Sequence, residues 1–212
     1  MQAAPEPVTA VSAAGTARLP TAWGEFAATA YVDADDVEHL VLVLGDAADD
    51  AAVEAPLVRV HSECLTGDLL GSKRCDCGDQ LERSLELISN EGRGVLVYMR
   101  GHEGRGVGLA HKIRAYGLQD EGLDTVDANL AQGLPADGRR YHAAGFMLLD
   151  LGVTQARLLT NNPAKVADIT EAGVEIVERV PVAVEPNEMN ARYLSAKRER
   201  LGHLLEIPTI DP

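Results

Sequence analysis

Apolar positions recur along this chain with two periods, and the changes of period mark its elements. Residues 19–32 (LPTAWGEFAATAYV) open on a proline-marked turn and then run apolar and β-prone, which predicts one or two strands. Residues 38–45 (EHLVLVLG) and 56–61 (PLVRVH) read as strands. The acidic, weakly patterned stretch 46–55 between them reads as a loop. In 79–90, Leu81, Leu85 and Ile88 fall at helical spacing, with Asp79 as the candidate N-cap and Gly92 as the stop. A short strand follows at 95–98, then helices at 109–120, closed by Gly122, and at 143–151, ended by Gly152. Residues 156–160 read as a strand, and Asn161-Asn162-Pro163 opens a helix that stops at Gly173. A strand at 174–184 and a polar helix at 187–205 complete the chain. Strands alternating with helices in the second half predict a mixed α/β fold with some parallel strands.

Composition narrows this picture. Aromatics make up 4% of residues, so Leu, Val, Ile and Ala must fill the core. No apolar run reaches the roughly 18 residues of a membrane helix. The first twenty residues have neither a basic start nor a long apolar block, so they read as a disordered leader over 1–18 and not as a secretory signal. The expected division is that leader, one catalytic domain over 19–205, and a loose tail over 206–212. Three cysteines, odd in number and clustered, argue against a disulfide framework and for a reducing, cytoplasmic setting. The net charge of −14 argues against general binding to nucleic acid. Residues 59–165 hold 13 Lys+Arg against 14 Asp+Glu, while the remainder holds 6 against 19. A near-neutral middle with most of the cations fits a local anion site in an acidic body.

The candidate chemistry centres on 59–80, RVHSECLTGDLLGSKRCDCGDQ. Cys64, Cys75 and Cys77, spaced C-x10-C-x-C, suit one soft metal ion, zinc first. Three thiolates are what a catalytic site with an open position would use. His61 as a fourth ligand would close the site, and three buried thiols acting as small apolar residues are the inert alternative. Lys73, Arg74, Asp76 and Asp79 make this a poor core segment.

The second stretch is RGHEGRGVG, residues 100–108. Its glycines, Gly104, Gly106 and Gly108, are spaced G-x-G-x-G, which is neither a dinucleotide fingerprint nor a Walker loop. It reads as a local anion-binding turn flanked by Arg100 and Arg105, with Glu103 holding a divalent ion or a base amine, or as a plain turn with solvated charges. Asp137 and Arg139, taken alone, are a cap and a surface charge. Thr160, Asn161, Asn162 and Lys165 stand at a strand-to-helix junction, where a helix N-terminus and a lysine can seat a phosphate.

Together, RVHSECLTGDLLGSKRCDCGDQL, GHEGRG, HKIRAYGLQDEGLDTVDAN, LTNNPAKV and RYLSAKRERLGHLL resemble the GTP cyclohydrolase II family, over residues 19–205. The resemblance implies that family's compact α/β fold, with a zinc site at a strand-to-loop junction, as a homodimer. It implies the monofunctional form, since no dihydroxybutanone phosphate synthase domain precedes Leu19. The implied reaction is hydrolysis of GTP, releasing formate and pyrophosphate and leaving 2,5-diamino-6-ribosylamino-4(3H)-pyrimidinone 5′-phosphate, the first step of riboflavin synthesis. It makes Cys64, Cys75 and Cys77 the zinc ligands. Arg59, Val60, His61, Ser62, Glu63, Gln80, Glu103, Gly104, Arg105, Thr125, Thr160 and Lys165 would contact GTP, with Mg2+ on the triphosphate. Asp137 matches a general acid or base, Tyr116 a tyrosine tied to ring opening, and Arg139 a proposed nucleophile toward the α-phosphate. A guanidinium with a pKa above about 12 is a poor nucleophile, so Arg139 as a charge stabiliser beside a water activated by Asp137 stands as the alternative. Competing readings are a paralogue that stops at the formamide or takes another nucleotide, and a zinc-stabilised nucleotide-binding module without catalysis.

Overall fold

The computed structural model, described over residues 11–48, 54–182 and 184–204, begins with an antiparallel meander. Its strands are β1 (Val11–Thr21), β2 (Gly24–Asp33) and β3 (Glu38–Leu44). Thr21 pairs with Gly24, so a two-residue loop closes the first hairpin. The disordered leader expected over 1–18 is therefore corrected for 11–18, which pair with β2 from Val11 onward. The period-2 signal is missing there because β1 is exposed at nearly every position. Residues 1–10 lie outside the described residues, as do 49–53 of the expected loop and the tail at 206–212. Pro20 lies inside β1, not at a turn before it. β1 is a sheet edge, where a missing N–H is tolerated.

The remaining strands are β4 (Leu57–Ser62), β5 (Gly94–Met99), β6 (Gln155–Leu159) and β7 (Glu175–Val180). They complete a seven-stranded sheet in the order β1-β2-β3-β5-β4-β6-β7. β3 meets β5 antiparallel, and β4 runs parallel to both β5 and β6. β6 and β7 are also parallel. β7 stops before Pro181, short of the expected 174–184, because proline cannot donate to a ladder.

Helices cover both faces. α1 (Cys77–Glu91) sets Leu85 and Ile88 among Leu42, Leu57, Leu96 and Leu159. α5 (His142–Asp150) and α6 (Pro163–Glu171) set Ala144, Met147, Leu148 and Ile169 among Val41, Val58, Val60, Val95 and Val97. Alternation along β4 thus sends Leu57 toward α1 and Val58 and Val60 toward α5 and α6. α1 starts at Cys77, two residues before the expected cap, so Asp79 sits in its first turn. Gly92 ends it with φ 73°. α6 is capped as predicted, Asn162 accepting from Ala164 N at 3.0 Å. The last helix, α7 (Ala191–Leu201), is shorter than 187–205 and ends on Gly202 with φ 66°. Loops leave β4, β5 and β6 at their carboxyl ends, the position where ligands bind in open α/β sheets.

Candidate active site

The three thiols come together where β4 ends. Cys64 follows the strand by two residues, a π-helical turn (Leu65–Leu69) reverses the chain, and Cys75 and Cys77 bracket the start of α1. Their Sγ atoms lie within 4.8 Å of one another, with Cys64 and Cys75 at 3.7 Å. Hydrogen bonds from Cys75 and Cys77 and the nearby Lys112 ammonium hold Cys64 toward thiolate; the same bonds and burial push the other two thiols up. A soft divalent cation would allow all three to ionise together, so the donor set fits zinc.

Gly67 makes the approach possible. A Cβ there would meet Cys75 Sγ and Cys77 Cβ at 2.9 Å and Cys64 Sγ at 3.1 Å. Gly67→Ala is accordingly expected to weaken zinc binding by about tenfold or more while all three thiols remain. Competition with a chelating dye measures this, and an unchanged affinity would show that the turn has slack.

Asp68 locks the same turn. Its carboxylate accepts from Cys64 N at 3.0 Å and from the Tyr98 hydroxyl at 2.7 Å, and its other oxygen meets His61 Nε2 at 3.0 Å. His61, stacked on Tyr98, lies outside the thiol cluster and is held neutral by burial. The alternative of His61 as a closing ligand is thereby corrected.

The glycine-rich turn builds the opposite wall through α2 (Glu103–Gly106) and α3 (Leu109–Asp120), which the short α4 (Asp127–Leu130) follows. Gly104 and Arg105 both adopt left-handed backbone, φ 60° and 66°. A non-glycine residue there costs about 1–3 kcal/mol, and here the turn carries Arg105 inward to 8% exposure. Arg105 Nη1 donates to Ala136 O at 3.4 Å, and its Nη2 is buried without a partner. Glu103 does not hold a free divalent site. One oxygen accepts from Lys112 Nζ at 2.5 Å and the other from Leu65 N at 2.7 Å. Lys112 also donates to Cys64 Sγ at 3.1 Å. Arg100, expected to flank the anion turn, pairs instead with Glu38 at the surface.

Two adjoining clefts open over these residues and share Ser62, Cys77, Arg139 and Tyr193. The first holds the cysteines, Glu63, Glu103, Gly104, Arg105, Tyr116 and Thr125. The second holds Arg59, His61, Gln80, Thr160 and Lys165. Val60 is the exception among the predicted contacts: its side chain is in the core, and its carbonyl accepts from Lys165 Nζ at 2.7 Å. Strand alternation explains this, since Arg59 and His61 take the other face. Arg59 donates to Leu159 O at 2.9 Å and Gln80 Oε1 at 2.8 Å. Arg59 Nε and His61 Nδ1 are buried without partners, donors or acceptors left for a ligand.

Asp137 and Arg139 form a forked pair, with Nε and Nη2 of Arg139 at 2.9 and 2.5 Å from the carboxylate. Burial raises the Asp137 pKa, but the bonds and charge of Arg139 outweigh it and hold the carboxyl below its usual range. Tyr116 presents its hydroxyl 3.4 Å from Thr66 Oγ1, with the Arg74 guanidinium 4.9 Å from its ring centre. His102, Lys112, Asn129, Tyr193 and Lys197 also line the clefts and were not singled out from the sequence. Burial, with Arg139 and Lys165 nearby, pushes the His102 pKa down to about 3, so it stays neutral. For Tyr193 and Lys197, their i, i+4 spacing on an otherwise polar helix was an available signal.

The chain matches the GTP cyclohydrolase II family over residues 12–181. It is 58% identical over 189 residues to the riboflavin biosynthesis protein RibBA of Mycobacteroides abscessus, covering 88% of this chain and 45% of that protein. Identity to RibBA of Nocardia farcinica is 58% over 188 residues, with the same coverage of 88% and 45%. The chain therefore spans about half the length of these curated relatives. A two-domain 3,4-dihydroxy-2-butanone 4-phosphate synthase from A. baumannii, RibBX, overlaps 84% of this chain and 41% of its own at 20% identity and a TM-score of 0.49, too weak a likeness to carry an argument. A family match over most of its length, in a molecule that gathers three thiols beside a cationic cleft, shows that the chain belongs to the GTP cyclohydrolase II family of hydrolases.

Proposed function

We propose that the chain hydrolyses GTP, opening the imidazole ring of guanine to release formate and pyrophosphate and leave 2,5-diamino-6-ribosylamino-4(3H)-pyrimidinone 5′-phosphate, the first step of riboflavin synthesis. The observation that carries this reading is the contact between two clefts, one holding the thiols and one rich in cations. Cys64, Cys75 and Cys77 would hold one zinc per chain, which supplies Lewis acidity and makes hydroxide available near neutral pH. Mg2+ is proposed to enter with the triphosphate.

The chain's own residues divide the rest of the work. Arg59, Arg105, Arg139 and Lys165 offset phosphate charge, in clefts where partial exclusion of water strengthens each interaction. The buried, unpartnered Nε of Arg59 and Nη2 of Arg105 favour that role. Asp137 rests as a carboxylate, so it acts as the base that takes a proton from water. Arg139 is held protonated by Tyr141 and Asp137 despite its burial, which favours charge stabilisation over nucleophilic attack. Tyr116 holds a proton during ring opening, a role that its hydroxyl beside Thr66 of the thiol turn supports. The catalytic unit is taken to begin with β1, not at residue 19. A homodimer in the cytoplasm belongs to the same proposal; the free thiols suit a reducing compartment, and no helix among the described residues is long and apolar enough to cross a membrane.

Metal analysis and product analysis with GTP and Mg2+ test this together. The expected result is one zinc per chain and equal amounts of formate and pyrophosphate. Pyrophosphate without formate would indicate arrest at the formamide, and neither product would indicate another substrate. Full turnover in both Asp137→Ala and Tyr116→Phe would overturn the assigned roles.

A further inference from the structure

Helix α7, which overlaps the RYLSAKRERLGHLL motif and follows the family match over residues 12–181, walls both clefts. Tyr193 lines both, and Lys197 and His203 line the second. Lys197 Nζ donates to Asp76 Oδ1 at 2.6 Å. The two side chains are only 11% and 2% exposed. Asp76 is the residue between Cys75 and Cys77. Its other oxygen accepts from Gln80 Nε2 at 2.5 Å, and Gln80 in turn accepts from Arg59, which reaches Leu159 O. One buried run of hydrogen bonds therefore crosses from α7 to the cysteine loop, α1, β4 and β6.

Two further ties hold the helix in place. Arg200 bonds Asp124 at 2.5 Å and Asp127 at 3.0 Å, on either side of Thr125. Leu204 N donates to Asn161 O at 2.8 Å at the strand-to-helix junction. An exposed ion pair contributes little, but breaking a buried one strands a carboxylate in low dielectric. In a Cys-Asp-Cys segment, anchoring the middle side chain orients the residues on both sides of it. Such supporting contacts govern how firmly a metal site holds its ion.

We propose that α7 is a strap that completes the active site, with Lys197 a positioning residue that fixes Cys75 and Cys77 through Asp76 and docks Tyr193 against the nucleotide cleft. This rests on the reading of the three thiols as a zinc site beside a nucleotide cleft.

The test uses the full zinc-loaded chain and compares Lys197→Met, Lys197→Arg, Asp76→Asn, the Lys197→Met/Asp76→Asn double variant, and Glu199→Gln on the exposed side of the helix. The readouts are the rate of zinc transfer to a chelating dye and the affinity for a non-hydrolysable GTP analogue. Lys197→Met is expected to lose zinc about tenfold faster or more and to bind the analogue more weakly. Lys197→Arg should recover most of both properties, and Glu199→Gln should change neither. The double variant leaves no stranded charge, so it keeps the test open if Lys197→Met does not fold; it should still lose zinc quickly, by less than the sum of the single effects. Wild-type zinc retention in a folded Lys197→Met or in the double variant would overturn the proposal, as would an equal effect of Glu199→Gln. A wild-type chain that takes up no zinc would instead remove the metal reading on which it rests.

Discussion

A Cys75→Ser chain is expected to fold, to lose its zinc, and to release no measurable formate from GTP. Cys75 is 5% exposed and its sulfur is 3.7 Å from that of Cys64, so serine fits the space without disturbing the turn. A serine hydroxyl is harder than a thiol and does not ionise near neutral pH, so it cannot replace a thiolate toward a soft cation. Losing one of three ligands removes the Lewis acid, a contribution of several kcal/mol, so turnover should fall about a thousandfold or more. Zinc binding to the folded state should also appear as stability. A chelator should lower the melting temperature of the wild-type chain and leave that of Cys75→Ser unchanged. Full zinc content and turnover in the variant would remove the basis of the proposed chemistry.

Lys165→Met is expected to weaken GTP binding while raising stability. The amine is 5% exposed and makes one hydrogen bond, to Val60 O, with the Tyr141 ring centre at 5.0 Å. Burial first, and then the charges of Arg59, Arg139 and Lys197, push its pKa well below the ordinary 10.5. Between that lowered value and 10.5 the unfolded chain binds the extra proton and the folded chain does not, so wild-type stability rises with pH across that interval. Below the lowered value both states are protonated and the folded state bears the full cost of a buried charge. Methionine removes that slope and, at neutral pH, should stabilise the unliganded chain on the order of 1–3 kcal/mol. Loss of a charge-assisted contact to a phosphate should raise the KM for GTP about a hundredfold. Thermal melts from pH 6 to 10 and GTP kinetics check both signs. A variant that is less stable, or that binds GTP like the wild type, would show that Lys165 is a structural anchor.

Several parts of the site could be read from the chain directly because they are local. Cys75 and Cys77 are two residues apart, Asn162-Pro163 supplies the cap and first position of α6, and Gly92 and Gly122 stand just past helices that needed stops. Other parts depended on which face a residue occupies. Val60 has the same apolar character as a strand residue beside a ligand, but the β4 register turns it into the core. Arg100 looks equivalent to Arg105 until β3 places Glu38 beside it. β1 has no hydrophobic alternation, because it is exposed at nearly every position and is held mainly by the ladder to β2, with Val11 alone of its described apolar residues packed on the core. The strand-forming role of 11–18 was therefore invisible in its composition.

The amino-acid order alone determined the thiol triplet and the fold class. A triplet of thiols held by one loop, and the 2.0 and 3.6 periods of its neighbours, are properties of contiguous residues. Only the tertiary structure decided the supporting shell, in which Lys112 reaches Cys64 across 48 positions and Lys197 reaches Asp76 across 121. The reason is physical: a buried charge must find its partner in space, and sequence separation places no limit on which residue that partner is.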